Sequence, residues 1–186
     1  MWIYLVIVLL IMGLQAWYFD KSLMFLYFNE QKWHQDIHQQ LEWDIALGVA
    51  IAATVILFSR YCSHHFQWAQ RIDQDFREVF QDMPKYQLII LAIMSSVGEE
   101  VLFRGFLQSY WGLWWTSLVF GCLHIPMKKH HWPWTLMAII MGTVFGGCYE
   151  WRGTLTAPLI AHFTINYFNL HALAKSQDPQ KSNKLI

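Results

Sequence analysis

Three charged residues lie inside a long apolar run and constrain this chain more than any other feature. Glu99, Glu100 and Arg104 fall within the apolar stretch 86–107. A charged side chain at the centre of a helix in hydrocarbon costs about 2.5–3.5 kcal/mol, so these groups need polar partners in the protein interior. Glu100 and Arg104 are four residues apart and share a helix face, which predicts a charge-assisted pair.

Glu99 has no such local partner, because it points about 100° away from Glu100 around the helix. A buried Glu100–Arg104 pair that fixes helix packing would account for those two residues without any function. It would not account for Glu99, since a second carboxylate beside the first adds like-charge repulsion. The sequence therefore favours a functional site over a purely structural ion pair on this helix.

The composition indicates a membrane protein. Residues are 55% hydrophobic and 14% charged, whereas soluble domains carry about 25% charged residues. The abundant Trp and Tyr favour the headgroup boundary of a bilayer. The formal net charge of zero gives no indication of binding to nucleic acid. The three cysteines form no CxxC pair and are interpreted as small core residues.

Six apolar segments are candidates for membrane spans. A span needs about 20 helical residues, and the runs lack the period-two alternation of a barrel strand. The predicted fold is an all-α polytopic transmembrane helical bundle with about six spans. The approximate segments are 2–19, 41–60, 86–107, 110–127, 133–150 and 153–173.

The regions outside the last four spans have different expected roles. We interpret 2–19 as an uncleaved anchor, because the charged region of a signal peptide is missing. Residues 63–84 combine charges with helically spaced apolar residues, so they form either an amphipathic helix on the membrane surface or an ordinary connecting helix. The predicted division is two N-terminal spans with this segment (1–85), a protease-like core (86–173) and a polar tail (174–186).

The distribution of Lys and Arg predicts that both termini are cytoplasmic. The inside would hold Arg60, Arg71, Arg77, Lys85, Lys128, Lys129, Lys175, Lys181 and Lys184, against Lys21, Lys32 and Arg152 outside. Almost nothing joins the third and fourth spans around residues 110–112, so one of them is expected to be re-entrant or tilted. Gly142 and Gly146 form a GxxxG packing signal, and His34 and His38 are interpreted as surface residues.

Three further polar residues lie on the later apolar segments. His124 ends the fourth segment, and His162 and Asn166 lie four apart on one face of the sixth. Each one by itself is compatible with ordinary interhelical hydrogen bonding. Together with the charged residues of the third segment, however, they predict one shared polar cavity that contains general bases and hydrogen-bond donors.

These residues resemble the CPBP family of intramembrane proteases, also called the Abi family, to which the Rce1-like CAAX-processing enzymes belong. Residues 99–104 match the EExxxR motif, residues 120–124 match FxxxH, and residues 162–166 match HxxxN. The motifs occur in the family's order, each on its own segment, and the resemblance covers roughly residues 86–172.

The resemblance implies an endopeptidase with a catalytic set of Glu99, Glu100, Arg104, His124, His162 and Asn166. Glu99 and His124 would activate a water, Glu100 would support Glu99, and Arg104 would hold Glu100. His162 and Asn166 would stabilise the oxyanion. Whether metal is used stays open: Glu99, His124 and His162 could bind Zn²⁺, but the HExxH signature is absent.

Several functions remain open at this stage. The substrate could be a prenylated CAAX tail or a bacterial membrane peptide, and the compact loops favour a bacterial protein of the cell membrane. The alternative within the family is a non-catalytic bacteriocin self-immunity or scaffold protein, although the unbroken motifs favour an enzyme. A proton-coupled carrier is a third possibility, but no inverted repeat supports it. The expected partners are membrane lipid and a membrane-associated peptide or protein.

Overall fold

The computed structural model describes residues 37–124 and 128–175, together with the single positions Val6 and Leu10. The described chain is helical, with helices joined by short turns. The helices are α1 (Ile37–His65), α2 (Gln67–Phe80), α3 (Lys85–Glu100), α4 (Gln108–Leu123), α5 (Trp132–Arg152) and α6 (Thr156–Lys175). A π-helical segment, Val101–Leu107, joins α3 to α4, and a 3₁₀ turn, Lys129–His131, precedes α5. The predicted all-α bundle is confirmed.

The described helices expose much apolar surface, which is the surface that a bilayer covers. Leu57 on α1 is 70% exposed, and Trp114 and Trp115 on α4 are 74% and 67% exposed. Two stretches, Gln40–His65 and Lys85–Leu123, are long and apolar enough to cross a membrane. The total of six spans stays a prediction. The predicted first span (2–19), apart from Val6 and Leu10, and most of the polar tail lie outside the described residues.

The chain reverses direction at Gly112, inside the stretch labelled α4. Gly112 has φ 73° and ψ 173°, a conformation that a side chain rarely adopts. The rings of Phe103 and Phe120 lie 4.9 Å apart, whereas a straight helix would separate them by about 25 Å. The leg from Leu113 to Leu123 is about 16 Å long, roughly half the thickness of the hydrocarbon core. The fourth predicted segment therefore contains a half-length return leg, and its re-entry into the membrane from one side stays a prediction.

The return leg of α4 packs closely against α5 because glycines lie between them. A Cβ on Gly142 would come within 3.1 Å of the Ser117 backbone, and a Cβ on Gly146 would meet side chains of Leu113 and Gln108. Gly121 on α4 likewise faces the Ile139 backbone. The Gly142–Gly146 pair is therefore part of a close helix contact, as its spacing indicates.

A buried ion pair fastens α1 to the turn between α5 and α6. Asp44 is 1% exposed and accepts hydrogen bonds from Arg152 Nε at 2.5 Å and Thr154 Oγ1 at 2.6 Å. Gln40 also donates to the Arg152 carbonyl. These contacts neutralise the Asp44 carboxylate, which would otherwise be an unpaired charge on an apolar helix. Helix α1 also packs along α6.

The segment between the second and third predicted spans forms α2, as expected for either interpretation of residues 63–84. Ala69 and Ile72 are buried, while Trp68 and Val79 are exposed. Helix α2 contacts α1, α6 and the 3₁₀ turn before α5, and Pro84 lies at the start of α3.

Of the three cysteines, Cys62 and Cys148 are buried, but Cys122 is exposed. The interpretation of Cys122 as a core residue was wrong, because its face of α4 points away from the bundle.

Replacing Gly121 with alanine should loosen the α4–α5 contact. The new Cβ would lie 2.9 Å from the Ile139 backbone nitrogen, and overpacking of this kind costs about 1–3 kcal/mol. Gly147→Ala is the matched control, because its Cβ meets nothing within 4 Å and alanine favours a helix by up to ~1 kcal/mol. Thermal unfolding in detergent should show a lower Tm for Gly121→Ala only. Equal Tm values for the two variants would contradict this packing.

Candidate active site

The candidate site is built on the junction between α3 and the π-helical segment. Glu99 and Glu100 are the last residues of α3, and Arg104 lies in the π-helical segment. A π-helix is rare and often occurs at functional sites. Arg104 Nη1 donates to Glu100 Oε1 at 2.9 Å, and the two residues are 1% and 0% exposed. The i,i+4 pair expected from the sequence is therefore formed and buried.

Arg104 is also held by groups that the sequence does not identify. Its Nη2 donates to the Gly142 carbonyl of α5 at 3.2 Å. Its guanidinium carbon lies 4.5 Å from the Phe120 ring centre and 5.4 Å from that of Phe145. Cation–π contacts of this kind are worth about 2 kcal/mol when they are desolvated. With the Phe103 ring at 5.9 Å, the buried cation therefore has one carboxylate, one carbonyl and three aromatic rings as partners.

His162 connects α6 to the same carboxylate. Its Nδ1 lies 2.7 Å from Glu100 Oε1, the oxygen that also receives Arg104. Since an ionised carboxylate only accepts hydrogen bonds, Nδ1 of His162 carries the proton. The imidazole stacks on Phe145, with ring centres 5.3 Å apart. Glu100 thus orients the His162 ring, and the Nε2 atom of that ring is directed away from Glu100 and Arg104.

Glu99 lies between the two histidines of the motifs. Its Oε2 is 3.9 Å from His124 Nε2 and 3.8 Å from His162 Nε2. The Glu99 side chain is 13% exposed, and its Oε2 atom is buried with no hydrogen-bond partner among the described residues. The carboxylate that had no partner along its own helix is therefore directed at imidazoles from α4 and α6.

His124 reaches Glu99 because the chain turns back at Gly112. Its Nδ1 lies 2.7 Å from the Phe120 carbonyl, which can only accept a hydrogen bond, so Nδ1 carries the proton. In the neutral ring, Nε2 then presents a lone pair towards Glu99. The carbonyl of His124 accepts a hydrogen bond from Thr135 Oγ1 at 2.7 Å, which ties this residue to the start of α5.

Asn166 lies on α6 one turn after His162 and contacts α3. Its Nδ2 donates to Ser95 Oγ at 3.0 Å. Ser95 is buried and precedes Glu99 by four residues, so both lie on one face of α3. Sequence reasoning missed Ser95 because buried serines are common in apolar helices. It also missed the roles of the Phe120 and Phe145 rings, which depend on contacts between helices.

The structure thus brings five of the predicted site residues into mutual contact where α3, the π-helical segment, α4 and α6 meet, and Asn166 lies one turn further along α6, against Ser95. Three atoms face one another there, Glu99 Oε2 and the Nε2 atoms of His124 and His162, and all three are acceptors when the imidazoles carry only their Nδ1 protons. Mutually facing acceptors require a donor or a cation among them. If a water oxygen lay about 2.8 Å from two of these atoms, the angle between its two hydrogen bonds would be roughly 90°. This is close to the angle between the O–H bonds of water. One water has only two protons, so the third acceptor needs a further proton or a metal ion.

Comparisons with known proteins point to one family. Residues 81–168 match the family model described as type II CAAX prenyl endopeptidase Rce1-like. The chain is 33% identical over 140 residues to the uncharacterized protein YpbD of Bacillus subtilis, and the alignment covers 71% of this chain and 74% of that protein. No solved structure matches the chain. The match includes all six residues of the site.

The two adjacent glutamates should differ sharply in their contribution to stability. Glu100→Gln removes the charge that neutralises buried Arg104, and breaking a buried ion pair costs about 3–5 kcal/mol. Glu99→Gln is isosteric, and Glu99 Oε2 accepts no hydrogen bond among the described residues, so the loss should be under ~1 kcal/mol. Denaturant unfolding in detergent measures both values. Equal destabilisation by the two substitutions would contradict the assignment of Glu100 as the structural carboxylate.

Proposed function

The chain belongs to the Rce1-like family of type II CAAX prenyl endopeptidases, and on that premise we propose that it is an intramembrane endopeptidase. It hydrolyses a peptide bond near the bilayer with a water activated by Glu99 and His124. One observation carries the proposal. The buried Glu99 Oε2 atom lacks a hydrogen-bond partner among the described residues and faces Nε2 atoms of two histidines within 3.9 Å.

The water would lie between Glu99 Oε2 and His124 Nε2. Both atoms accept hydrogen bonds, and their separation of 3.9 Å suits a single bridging water. Glu99 takes a proton as the water oxygen attacks the carbonyl carbon, and it later returns that proton to the leaving amine. His124 holds the second O–H bond and so fixes the direction of attack. Its Nδ1–H bond to the Phe120 carbonyl keeps the acceptor nitrogen facing the water.

His162 and Asn166 would stabilise the negative charge that develops on the carbonyl oxygen. The Nδ1 proton of His162 is directed to Glu100, so the ring can donate from Nε2 only when both nitrogens carry protons. Glu100 and Glu99 lie on opposite sides of this ring, with Glu100 Oε1 2.7 Å from Nδ1 and Glu99 Oε2 3.8 Å from Nε2. The Asn166 amide has two N–H donors. One goes to Ser95, which leaves the other for the oxyanion.

Glu100 and Arg104 are positioning residues in this scheme. Neither faces the proposed water, because both side chains are buried in the network behind His162. Their role is to hold His162 at a fixed distance from Glu99. Geometry of this kind matters because catalytic groups must lie within hydrogen-bond reach of the reacting atoms.

The same donor set also suits a catalytic zinc ion. One carboxylate oxygen and two imidazole nitrogens are zinc ligands. Glu100 behind His162 and the Phe120 carbonyl behind His124 match the outer-shell partners that orient metal-bound histidines. Glu99, His124 and His162 would hold the ion, which would supply Lewis-acid activation of the water. The roles of Asn166 and Arg104 are the same with or without it.

We place the site in the cell membrane of a bacterium, with both chain termini cytoplasmic and residues 86–173 as the protease core. The placement of Lys and Arg supports this orientation. The substrate is a membrane-associated peptide or protein, either a CAAX-type tail or a bacterial membrane peptide. The exposed apolar surfaces of α3 and α4 give such a substrate a route through lipid rather than water.

Glu99→Gln should abolish cleavage while the protein remains folded and inserted. Wild type and variant are expressed at matched levels in the native host, and new peptide termini in the membrane fraction are compared. Termini found only with wild type identify both the activity and the substrate. Glu78→Gln, an exposed glutamate on α2, is the control and should give the wild-type pattern. Identical patterns for wild type and Glu99→Gln would favour the non-catalytic self-immunity or scaffold role instead.

Asn166→Ala should lower kcat by about 100- to 1,000-fold, which is the typical effect of removing one oxyanion donor. KM should change little if this donor acts mainly in the transition state. Ser95→Ala removes only the acceptor that positions the amide, so its effect on kcat should be smaller. A loss in Ser95→Ala as large as that in Asn166→Ala would argue against a direct role for the amide.

A further inference from the structure

A second cluster of ionisable side chains lies outside the membrane-spanning helices. Asp75 on α2 faces residues of the segment before α5. Its Oδ2 lies 2.7 Å from His130 Nε2 and 2.8 Å from His131 Nε2, and its Oδ1 lies 2.5 Å from Lys128 Nζ. The carboxylate oxygen and the two imidazole nitrogens all lie within 4.8 Å of one another. The proposed proteolytic mechanism uses none of these residues.

The geometry of the two histidines differs from that of ordinary surface residues. They are adjacent in sequence, yet both Nε2 atoms converge on one oxygen. His131 is 6% exposed and stacks on Phe76, with ring centres 5.9 Å apart. His130 is partly exposed, so the cluster is fixed on one side and accessible from solvent on the other.

The two oxygens of the Asp75 carboxylate have different partners. Lys128 occupies Oδ1 only, and its side chain is 52% exposed. Oδ2 stays directed at the two imidazoles, and Lys128 resembles the outer-shell donors that orient ligating carboxylates.

We propose that Asp75, His130 and His131 form a Zn²⁺-binding site that joins α2 to the start of α5. Two imidazole nitrogens and one carboxylate oxygen are a set that zinc and similar divalent transition metals favour. Tetrahedral ligands about 2.0–2.2 Å from a zinc ion lie roughly 3.3–3.6 Å apart. The observed separations of 2.7 and 2.8 Å must therefore widen by about 0.5–0.9 Å, which rotation of the side chains can supply. The fourth position is left for water.

Zinc here would stabilise the corner of the molecule that holds His124. Trp134, near the start of α5, contacts both Phe76 of α2 and the His124 ring. Thr135 donates to the His124 carbonyl. A metal that joins α2 to the segment before α5 therefore fixes two neighbours of His124 without touching the candidate active site. The site and the proposed proteolysis stand on different residues and can fail separately.

The test uses the full-length protein in detergent, stripped with a chelator and then titrated with Zn²⁺ or Co²⁺. Bound metal is measured by mass spectrometry, and Co²⁺ coordination by its visible absorption. His130→Ala and Asp75→Asn should each weaken zinc binding by more than the roughly 10- to 100-fold that loss of an outer-shell partner costs. His65→Ala and Asp73→Asn are matched controls, at other positions on α1 and α2, and should bind as wild type does.

A Glu99→Gln variant separates this site from the candidate active site. Zinc lost in His130→Ala but retained in Glu99→Gln supports the proposal, whatever the outcome of the cleavage assay. Zinc should also raise the Tm of wild type and leave that of His130→Ala unchanged. Wild-type zinc affinity in His130→Ala and Asp75→Asn would overturn the proposal and leave the cluster as an ion-paired contact. Absence of zinc binding by wild type would overturn it as well.

Discussion

The buried pair of Glu100 and Arg104 is the interaction on which the rest of the described structure depends. Neither charge is accessible to solvent, so each must be compensated inside the protein. The compensation comes from three directions: a carbonyl of α5, aromatic rings of α4 and α5, and the His162 imidazole of α6. The need to neutralise one arginine therefore determines how four helical segments are arranged. The same network holds one imidazole beside Glu99.

The reversal at Gly112 has an equally specific consequence. A straight helix from Glu99 to His124 would separate the two residues by about 37 Å. The half-length return leg instead ends beside Glu99, 3.9 Å from its carboxylate. Glycines at the α4–α5 contact allow this leg to lie against the bundle. A backbone conformation that only glycine adopts easily thus places one of the two residues proposed to activate the water.

The carboxylates of the described residues differ in how fully their oxygens are hydrogen-bonded. Asp44 is buried and has an arginine and a threonine as partners. Asp75 lies outside the membrane-spanning helices and has a lysine and two histidines. Glu99 and Glu100 each have an Oε2 atom that is buried without a hydrogen-bond partner among the described residues, and that of Glu99 faces the Nε2 atoms of two histidines. An unsatisfied buried oxygen is costly, so its retention points to a ligand, a water or a reacting group at that position.

The sequence by itself determined the helical class, the approximate helix limits and the identity of the polar residues that must cluster. These follow from local physics, since apolar runs in lipid must be helical and charges in hydrocarbon must find partners. It also determined the Glu100–Arg104 pair, because residues four apart on a helix meet. Only the tertiary structure decided the partners of Glu99, the contact between Asn166 and Ser95, and the convergence of His130 and His131 on Asp75. Those contacts join residues far apart in the chain, and their distances depend on one turn at Gly112 and on helix packing that no local pattern encodes.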